Sequence, residues 1–578
     1  MICPNTAFGA PIRARIHDSA IKRVTRFFSS SLSDIFAETF QNARRAGANR
    51  VCITVAPDRQ RSIVTITDDG AGIPDPAVLL SFGENGWSPD LVRSEDAAGM
   101  GFIALARRGC TVRSRPRSAN GHQFPGWTVS LDPEHFTGDA DALVNRDDQA
   151  PWPHGTAVSF MSDDSPHAIR NTVTLAARYF PVRVHLAGLP DSPDDGEEIE
   201  RRPFLDGSIH SERWQGITLG VFRNRRRSFS DPDINFHGVT VSAGLPDIAA
   251  ANDDSWSVLA DIQDCPRLEL VLPARREVVH TPFLDELRQA ARLCIYRAMA
   301  RHPHPDPAFA DWQRARSAGI RIPPARPRLR PWKPGIADPN AGGQIPNRTD
   351  APSSALLMAF HPDPPEAQML YRALCHADMS HQVFETENRL EGYDWYDKLD
   401  RITATPAEAL HQGSSTPITD SNAVTFDGEP VLVPDRPEDI LVTLRIHHPE
   451  RADRSFTMAA DLAFPGEPYA SIDEVQPVVT RDSGLEPQEL AQLIYSAYFS
   501  PSEDWEADSW ETQSDQFMQD AMTLATELLC GKHEAVRHAL IQAANRDLRW
   551  IVPPDATATV TIRGRDVTVS LDTGKEAA

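Results

Sequence analysis

Four short motifs, met in one order, constrain this chain of 578 residues more than any other feature. The first is ETFQN at residues 38–42. It lies on a segment, 31–46, whose apolar Leu32, Ile35, Phe36, Phe40 and Ala43 recur near helical spacing. Ser31 or Ser33 can cap that helix, Asp34 suits its first turn, and Gly47 ends it. A spacing of four puts Glu38 and Asn42 on one face. A carboxylate there can orient or deprotonate a water. An amide oxygen there can ligate Mg²⁺, which keeps several waters of its own. Alone the pair says little, because ExxxN occurs on many solvated helices.

The second motif is DDGAGI at 68–73, directly after two β-rich runs at 51–56 and 62–67. Asp68 would leave the sheet edge into a pocket, able to accept from an adenine amino group. Gly70 and Gly72 let the backbone pass close to a base. The plain alternative is a strand-ending turn, for which DDG is good chemistry. The third is Gly99-Met100-Gly101-Phe102, opening a short helix expected over 102–108. Free N–H groups at a helix N-terminus, reached through glycines, bind phosphate. The fourth is GTAV at 155–158, with Thr156 at the start of a strand. With further strands expected at 111–115, 127–131 and 156–161, the block reads as an α/β sandwich with helices on one sheet face.

In that order the four motifs resemble the GHKL ATPases: gyrase-type topoisomerases, ninety-kilodalton heat-shock chaperones, mismatch-repair MutL and histidine kinases. The resemblance covers about 130 residues. It implies a Bergerat-type fold that binds ATP with Mg²⁺. It implies Glu38 as the water-activating base, Asn42 as the Mg²⁺ ligand and Asp68 as the adenine reader. Gly72 would line the base, Gly99 and Gly101 would cradle phosphates, and Thr156 would support waters on the adenine side. Residues 74–98 would form the ATP lid. Two positions depart from the family pattern. Arg45 stands where members often have Asp, and Asp96 takes the first glycine place of GxxGxGF. Both put the rate of hydrolysis in question more than the fold.

The rest of the chain is organised by two linkers. Residues 191–200 (DSPDDGEEIE) are acidic with no apolar period. Residues 303–354 are rich in proline and expected to be extended and semi-rigid. The expected domains are therefore 1–190 (ATP-binding), 201–302 (a transducer-like α/β domain), the linker 303–354, and 355–578 (α+β). In the middle block, LPARREVVH at 272–280 precedes an amphipathic helix over 282–300. It resembles the L-N-x-S-R-E-x-L-Q segment of the ninety-kilodalton chaperones. That likeness implies that Arg276 reaches the γ-phosphate from the second domain, a role suited to guanidinium. The plain alternative is two surface arginines, Arg275 and Arg276, at a strand end.

Charge divides the chain unequally. Residues 1–348 hold 42 Lys and Arg against 41 Asp and Glu, while 349–578 hold 16 against 40. The acid-rich part should repel nucleic acid and anionic membrane, and suits a basic protein client or partner. Seven cysteines lie far apart with no CxxC pair, which fits a reduced cytoplasmic setting. No apolar run approaches the ~20 residues of a membrane helix. The reading reached is a multidomain ATPase acting as an ATP-driven clamp or chaperone-like switch, with an ATP-dependent homodimer as one outcome of closure. A MutL-like, nucleic-acid-linked ATPase is the alternative. It would use basic clusters at 223–227 and 321–333, the second around Trp332. A third reading is a nucleotide-sensing scaffold that barely hydrolyses.

Overall fold

The computed structural model describes residues 31–81, 101–118, 121–147, 153–190, 192–225, 231–262, 265, 267–270, 278–338, 345–411, 413–418, 425–426, 429–430, 437–465, 470–502, 504 and 507–572. The chain is a mixed α/β protein of two compact units, Met1–Ala325 and Arg326–Ala578.

Helix α1 spans Leu32–Arg45. Ser31 caps it by accepting from the Asp34 N–H at 3.2 Å, and Asp34 and Arg44 complement its dipole at opposite ends. Its Ile35, Phe36, Phe40 and Ala43 are buried. They pack on an eight-stranded sheet of β1 (Arg50–Asp58), β2 (Arg61–Asp68), β3 (Cys110–Arg115), β4 (Trp127–Leu131), β5 (Asn145–Arg146), β6 (Gly155–Ser162), β7 (Arg183–Ala187) and β8 (Glu197–Glu198). The strand order is β5-β4-β3-β6-β2-β1-β7-β8. In β1, Val51, Ile53 and Val55 are buried while Thr54 and Ala56 are exposed, so one face is covered and the other wet. Helix α2 (Pro166–Ala177) lies beside α1 and contributes Ile169, Val173 and Ala177 to the same core.

The expected helix over 102–108 is a 3₁₀ turn, Gly101–Leu105, in the structure. The Arg108 and Gly109 N–H groups both close on the Leu105 carbonyl, and Gly109 has φ +72°. Glycines at 101 and 109 leave too few residues between them for a cooperative α-helix. A turn this short has no appreciable dipole, which removes that part of the phosphate argument.

A second sheet of the same unit holds β9 (His210–Trp214), β10 (Ile217–Arg223), β11 (Ile234–Phe236), β12 (Val239–Val241), β13 (Asp247–Ala249) and β14 (Ser255–Ile262). Helix α3 (Pro282–Arg301) packs over it through Leu284, Leu287, Ala291, Cys294 and Ile295. Ahead of α3, Leu270 and Val278 form an isolated antiparallel bridge. The proline-rich stretch packs on both sides of the unit boundary. A helix, Phe309–Ser317, with Ala315 and then Ile322, joins the core of the second sheet, and Trp332 joins the core of the second unit.

The second unit is α+β. A seven-stranded sheet is centred on the strand Asp439–His447, and the helix Pro364–His376 packs on it. The helices Pro487–Tyr498 and Trp510–Cys530 share a smaller core around Leu490, Ile494 and Ala521. The helix Lys532–Ala543 and a hairpin, Thr557–Arg563 with Asp566–Asp572, follow. Among the described residues no helix is long and apolar enough to cross a membrane.

Candidate functional site

Strand β2 is the centre of the site. Its register pairs Asp68 with Thr156 of β6, and β6 pairs Thr156 with Ser114 of β3. Three strand positions distant in sequence thus form one row at one end of the sheet. Asp68 begins the loop that leaves this row. Its Oδ1 accepts from the Gly70 N–H at 2.8 Å. Burial pushes the carboxyl up to about 6, and the neighbouring Asp69 adds to the shift. The N–H groups of Gly70 and Thr156 and the nearby His154 act in the other direction. A carboxylate has about four acceptor sites, so two N–H bonds leave capacity for a ligand donor.

The loop is held from three sides. Asp69 Oδ1 accepts from the N–H groups of Asn49 (2.7 Å) and Arg50 (2.9 Å), tying the loop to the start of β1. The Ala71 N–H donates to the Ala46 carbonyl at 2.8 Å, tying it to the end of α1. Ile73 donates through its N–H to Ser114 Oγ at 2.8 Å and accepts from Trp127 Nε1 at 2.9 Å. His154 Nδ1 lies 3.0 Å from the Gly70 carbonyl oxygen.

Two glycines are required by this packing. Gly72 has φ +73°, and a Cβ there would lie 2.9 Å from the Arg115 carbonyl oxygen. Gly155 has φ +120°, and its Cβ would lie 2.0 Å from the Asp68 carbonyl oxygen. Any side chain at 155 would push β6 off Asp68.

Helix α1 meets the same loop at its C-terminal end. Glu38, Asn42 and Ala46 follow one another at four-residue steps, and Ala46 touches the loop. Glu38 and Asn42 are both half-buried. Phe102 is partly buried against the core that α1 also joins.

Asp68, Gly70, Gly72 and Thr156 are thus neighbours, and Glu38 and Asn42 lie on the helix whose C-terminal end touches the loop. Gly101 begins the 3₁₀ turn. Gly99, Met100, Asp96, Arg275 and Arg276 lie outside the described residues, as does most of the expected lid. Ser114, Trp127 and His154 were not singled out from sequence for a role here. Ser114 is four residues past Cys110 on another strand, and only the β3–β6–β2 register brings it to Asp68. A histidine directly before the Gly-Thr pair was the one local signal available for His154.

Two other clusters bear on function. His210, Glu212 and Cys294 have potential ligand atoms within 4.8 Å of one another. Arginines already pair with His210 and Glu212. Arg301 Nη1 is 2.9 Å from His210 Nδ1, and Arg297 donates to Glu212 Oε2 at 2.6 Å. Burial pushes the Cys294 thiol up to about 12, with Glu212 adding to it. This is an ion-paired seam between β9 and α3. In the basic stretches, Arg223 pairs with Asp254 at 2.5 Å, Arg328 and Arg330 pair with Asp350 and Glu385, and Trp332 is buried. A buried indole cannot stack on a base.

No protein-family model matches the chain, and no curated protein matches it. Among solved structures, the crystal structure of the B-subunit of the DNA gyrase from Myxococcus xanthus superposes with a TM-score of 0.33 at 13% identity. The overlay covers 50% of this chain and 97% of that one. A score this low does not establish a common fold.

Proposed function

We propose that the chain is an ATP-binding protein of the GHKL type, working as a slowly hydrolysing conformational switch. The observation that carries this reading is the Asp68 row. A half-buried carboxylate with spare acceptor capacity sits beside Ser114 and Thr156, at the mouth of a loop stripped of side chains at Gly70 and Gly72. That suits a flat ring edge carrying an amino donor. The polar positions of α1, whose C-terminal end touches that loop, suit the phosphate end. Asn42 fits Mg²⁺ as one of the few protein ligands this ion takes, the rest being water and phosphate oxygens. The ion would neutralise phosphate charge. Glu38, one turn along the helix, is the base that would orient the attacking water.

Arg276 is the finer part of the proposal. From a segment entering α3, it would meet the γ-phosphate when the two sheets of the first unit close, and so report ATP rather than ADP. The acid excess of residues 349–578 suits a basic protein client. The nucleic-acid alternative loses support from the internal pairing of Arg223, Arg328 and Arg330 and from the burial of Trp332.

Calorimetric titration with a non-hydrolysable ATP analogue tests the core claim. Asp68→Asn keeps the shape but can turn an N–H₂ toward the adenine amino group. It should weaken binding by about 1–3 kcal/mol, or roughly 5- to 150-fold. Unchanged affinity would mean the site is misplaced. Arg276→Ala should leave ADP affinity at the wild-type value and lower both turnover and ATP-driven compaction. If Arg275→Ala proves the sensitive change, the register is off by one and the mechanism stands.

A further inference from the structure

We propose that the cleft between α3 and the helix Phe309–Ser317 binds a small organic anion of the phosphate-monoester type. The cavity there measures about 660 Å³, within the roughly 300–1,000 Å³ typical of small-molecule sites. On α3 its lining runs from Gln289 through Arg292 to Tyr296, at steps of three and four that share one helix face. The shorter helix contributes Arg314, with Gln313 and Ser317 beside it. None of these residues belongs to the nucleotide site proposed above.

The walls are fixed by the fold. Tyr296 is 1% exposed, and its hydroxyl donates to Asp311 Oδ1 at 2.7 Å, joining the two helices. The turn between them is held to the second sheet, where the Ala251 N–H donates to the Asp306 carbonyl at 2.8 Å. Beyond the shorter helix, Trp312 Nε1 donates to the Ile322 carbonyl at 3.0 Å. A cavity bounded in this way is largely formed before a ligand arrives, so little ordering opposes binding.

Charge selects the occupant. Among the described residues no carboxylate lines the cavity. Asp311 is the acid that both arginines approach, Arg314 at 3.3 Å and Arg292 at 4.0 Å. One carboxylate between two guanidiniums leaves a positive charge uncompensated. Burial pushes the Tyr296 hydroxyl up to about 12, with Asp311 adding to it, so it stays neutral. The other three arginines of α3 are taken up by the fold. Arg288 donates to the Ala243 carbonyl at 2.6 Å, Arg297 to Glu212 at 2.6 Å, and Arg301 stands 2.9 Å from His210. Arg292, with the longest pairing distance, is the one on the cavity. Guanidinium forks match phosphate oxygens, and a dianion suits two of them. Gln289 and Gln313 add exposed amide donors and Ser317 a hydroxyl. Leu293 and Ala318 give an apolar wall for an organic body.

Calorimetric titration of the full chain with phenyl phosphate, with and without a saturating ATP analogue, reads this directly. Wild type should show one arginine-dependent binding event in both conditions, with a dissociation constant below about 1 mM. Arg292→Gln and Arg314→Gln should each raise it at least ~10-fold, the worth of one charge-assisted contact. Arg316→Gln removes the same charge from the same helix as Arg314. Arg316 lies over the Trp312 ring and does not line the cavity, so affinity should hold. Inorganic phosphate should bind more weakly than phenyl phosphate, since it leaves Leu293 and Ala318 uncovered. Arg292 and Arg314 sit on different helices, so a variant that fails to fold leaves the other to decide. If the chain binds no nucleotide, the analogue is inert and the result stands. Absence of binding by wild type up to about 10 mM in both conditions overturns the proposal. So does an affinity that neither Arg292→Gln nor Arg314→Gln changes, or one that Arg316→Gln lowers equally, which would reduce the effect to general attraction by charge.

Discussion

Strands β1 and β2 and the hairpin 557–572 are written in the same alphabet. Both alternate β-branched residues with Thr or Ser, and both are antiparallel pairs joined by a tight turn. In the first pair the Val and Ile of one face are buried under α1 and α2. In the second pair the equivalent face is open to solvent. Alternation therefore specifies a strand and which of its faces is apolar, but not what covers that face. The first pair is completed within the chain and ends in a polar loop that can hold a ligand. The second stays exposed along both strands.

If that difference holds, nucleotide chemistry should respond only to the first region. Glu38→Ala should cut ATP turnover by roughly 10²–10⁴, the usual worth of a general base, with nucleotide affinity within a fewfold. Val569→Asp, in the open pair, should leave turnover unchanged. A Glu38→Ala protein that loses binding and turnover together would make Glu38 a structural residue.

Much of this arrangement was legible in the sequence. Helix α1 could be read because apolar spacing, the Ser31 cap and Gly47 agree with one another. The strands leading to Asp68 were legible for the same reason. The stretch 102–108 misled because Phe-Ile-Ala-Leu-Ala has helical composition, while its end is fixed by Gly109 in the left-handed region. Ser114, Trp127 and His154 could not be found from spacing, since strand register is set by tertiary pairing. Nor did proline content reveal that Trp332 would be buried in the second unit.

The two regions should also differ in what a deletion costs. Ile66 is 1% exposed in the covered pair, and Ile562 is 46% exposed in the open one. Ile66→Ala should destabilise the first unit by about 2–5 kcal/mol through lost burial and an unfilled cavity. Ile562→Ala should stay within about 0.5 kcal/mol. Chemical denaturation of both variants gives the comparison. A large loss for Ile562→Ala would mean the hairpin is covered in solution.

The smallest effect is the most specific, because it depends on the sign of one titration. Asp68 titrates near 6 when folded, against an ordinary 3.8. Between those values the folded chain holds a proton that the unfolded chain has lost. Stability contributed by this group therefore falls as pH rises from about 4 to 6 and is level above that, opposite to an ion-paired carboxylate. Near neutral pH the ionised, half-buried carboxyl is a cost to the fold, on the order of 1–3 kcal/mol. Asp68→Asn removes it. Without nucleotide the variant should melt above wild type at pH 7.5, and the gap should close toward pH 4. Adenine recognition needs the ionised acceptor, so wild-type affinity for ATP should fall as pH drops below 6, by up to about tenfold per pH unit. Melting curves at several pH values, with and without nucleotide, measure both effects on one sample. Ile562→Ala supplies the control from the open region, since no titratable group lies on that face and its small effect should not vary with pH. Equal melting temperatures for Asp68→Asn and wild type at pH 7.5 would mean that the carboxyl is solvated and the row is an ordinary strand end.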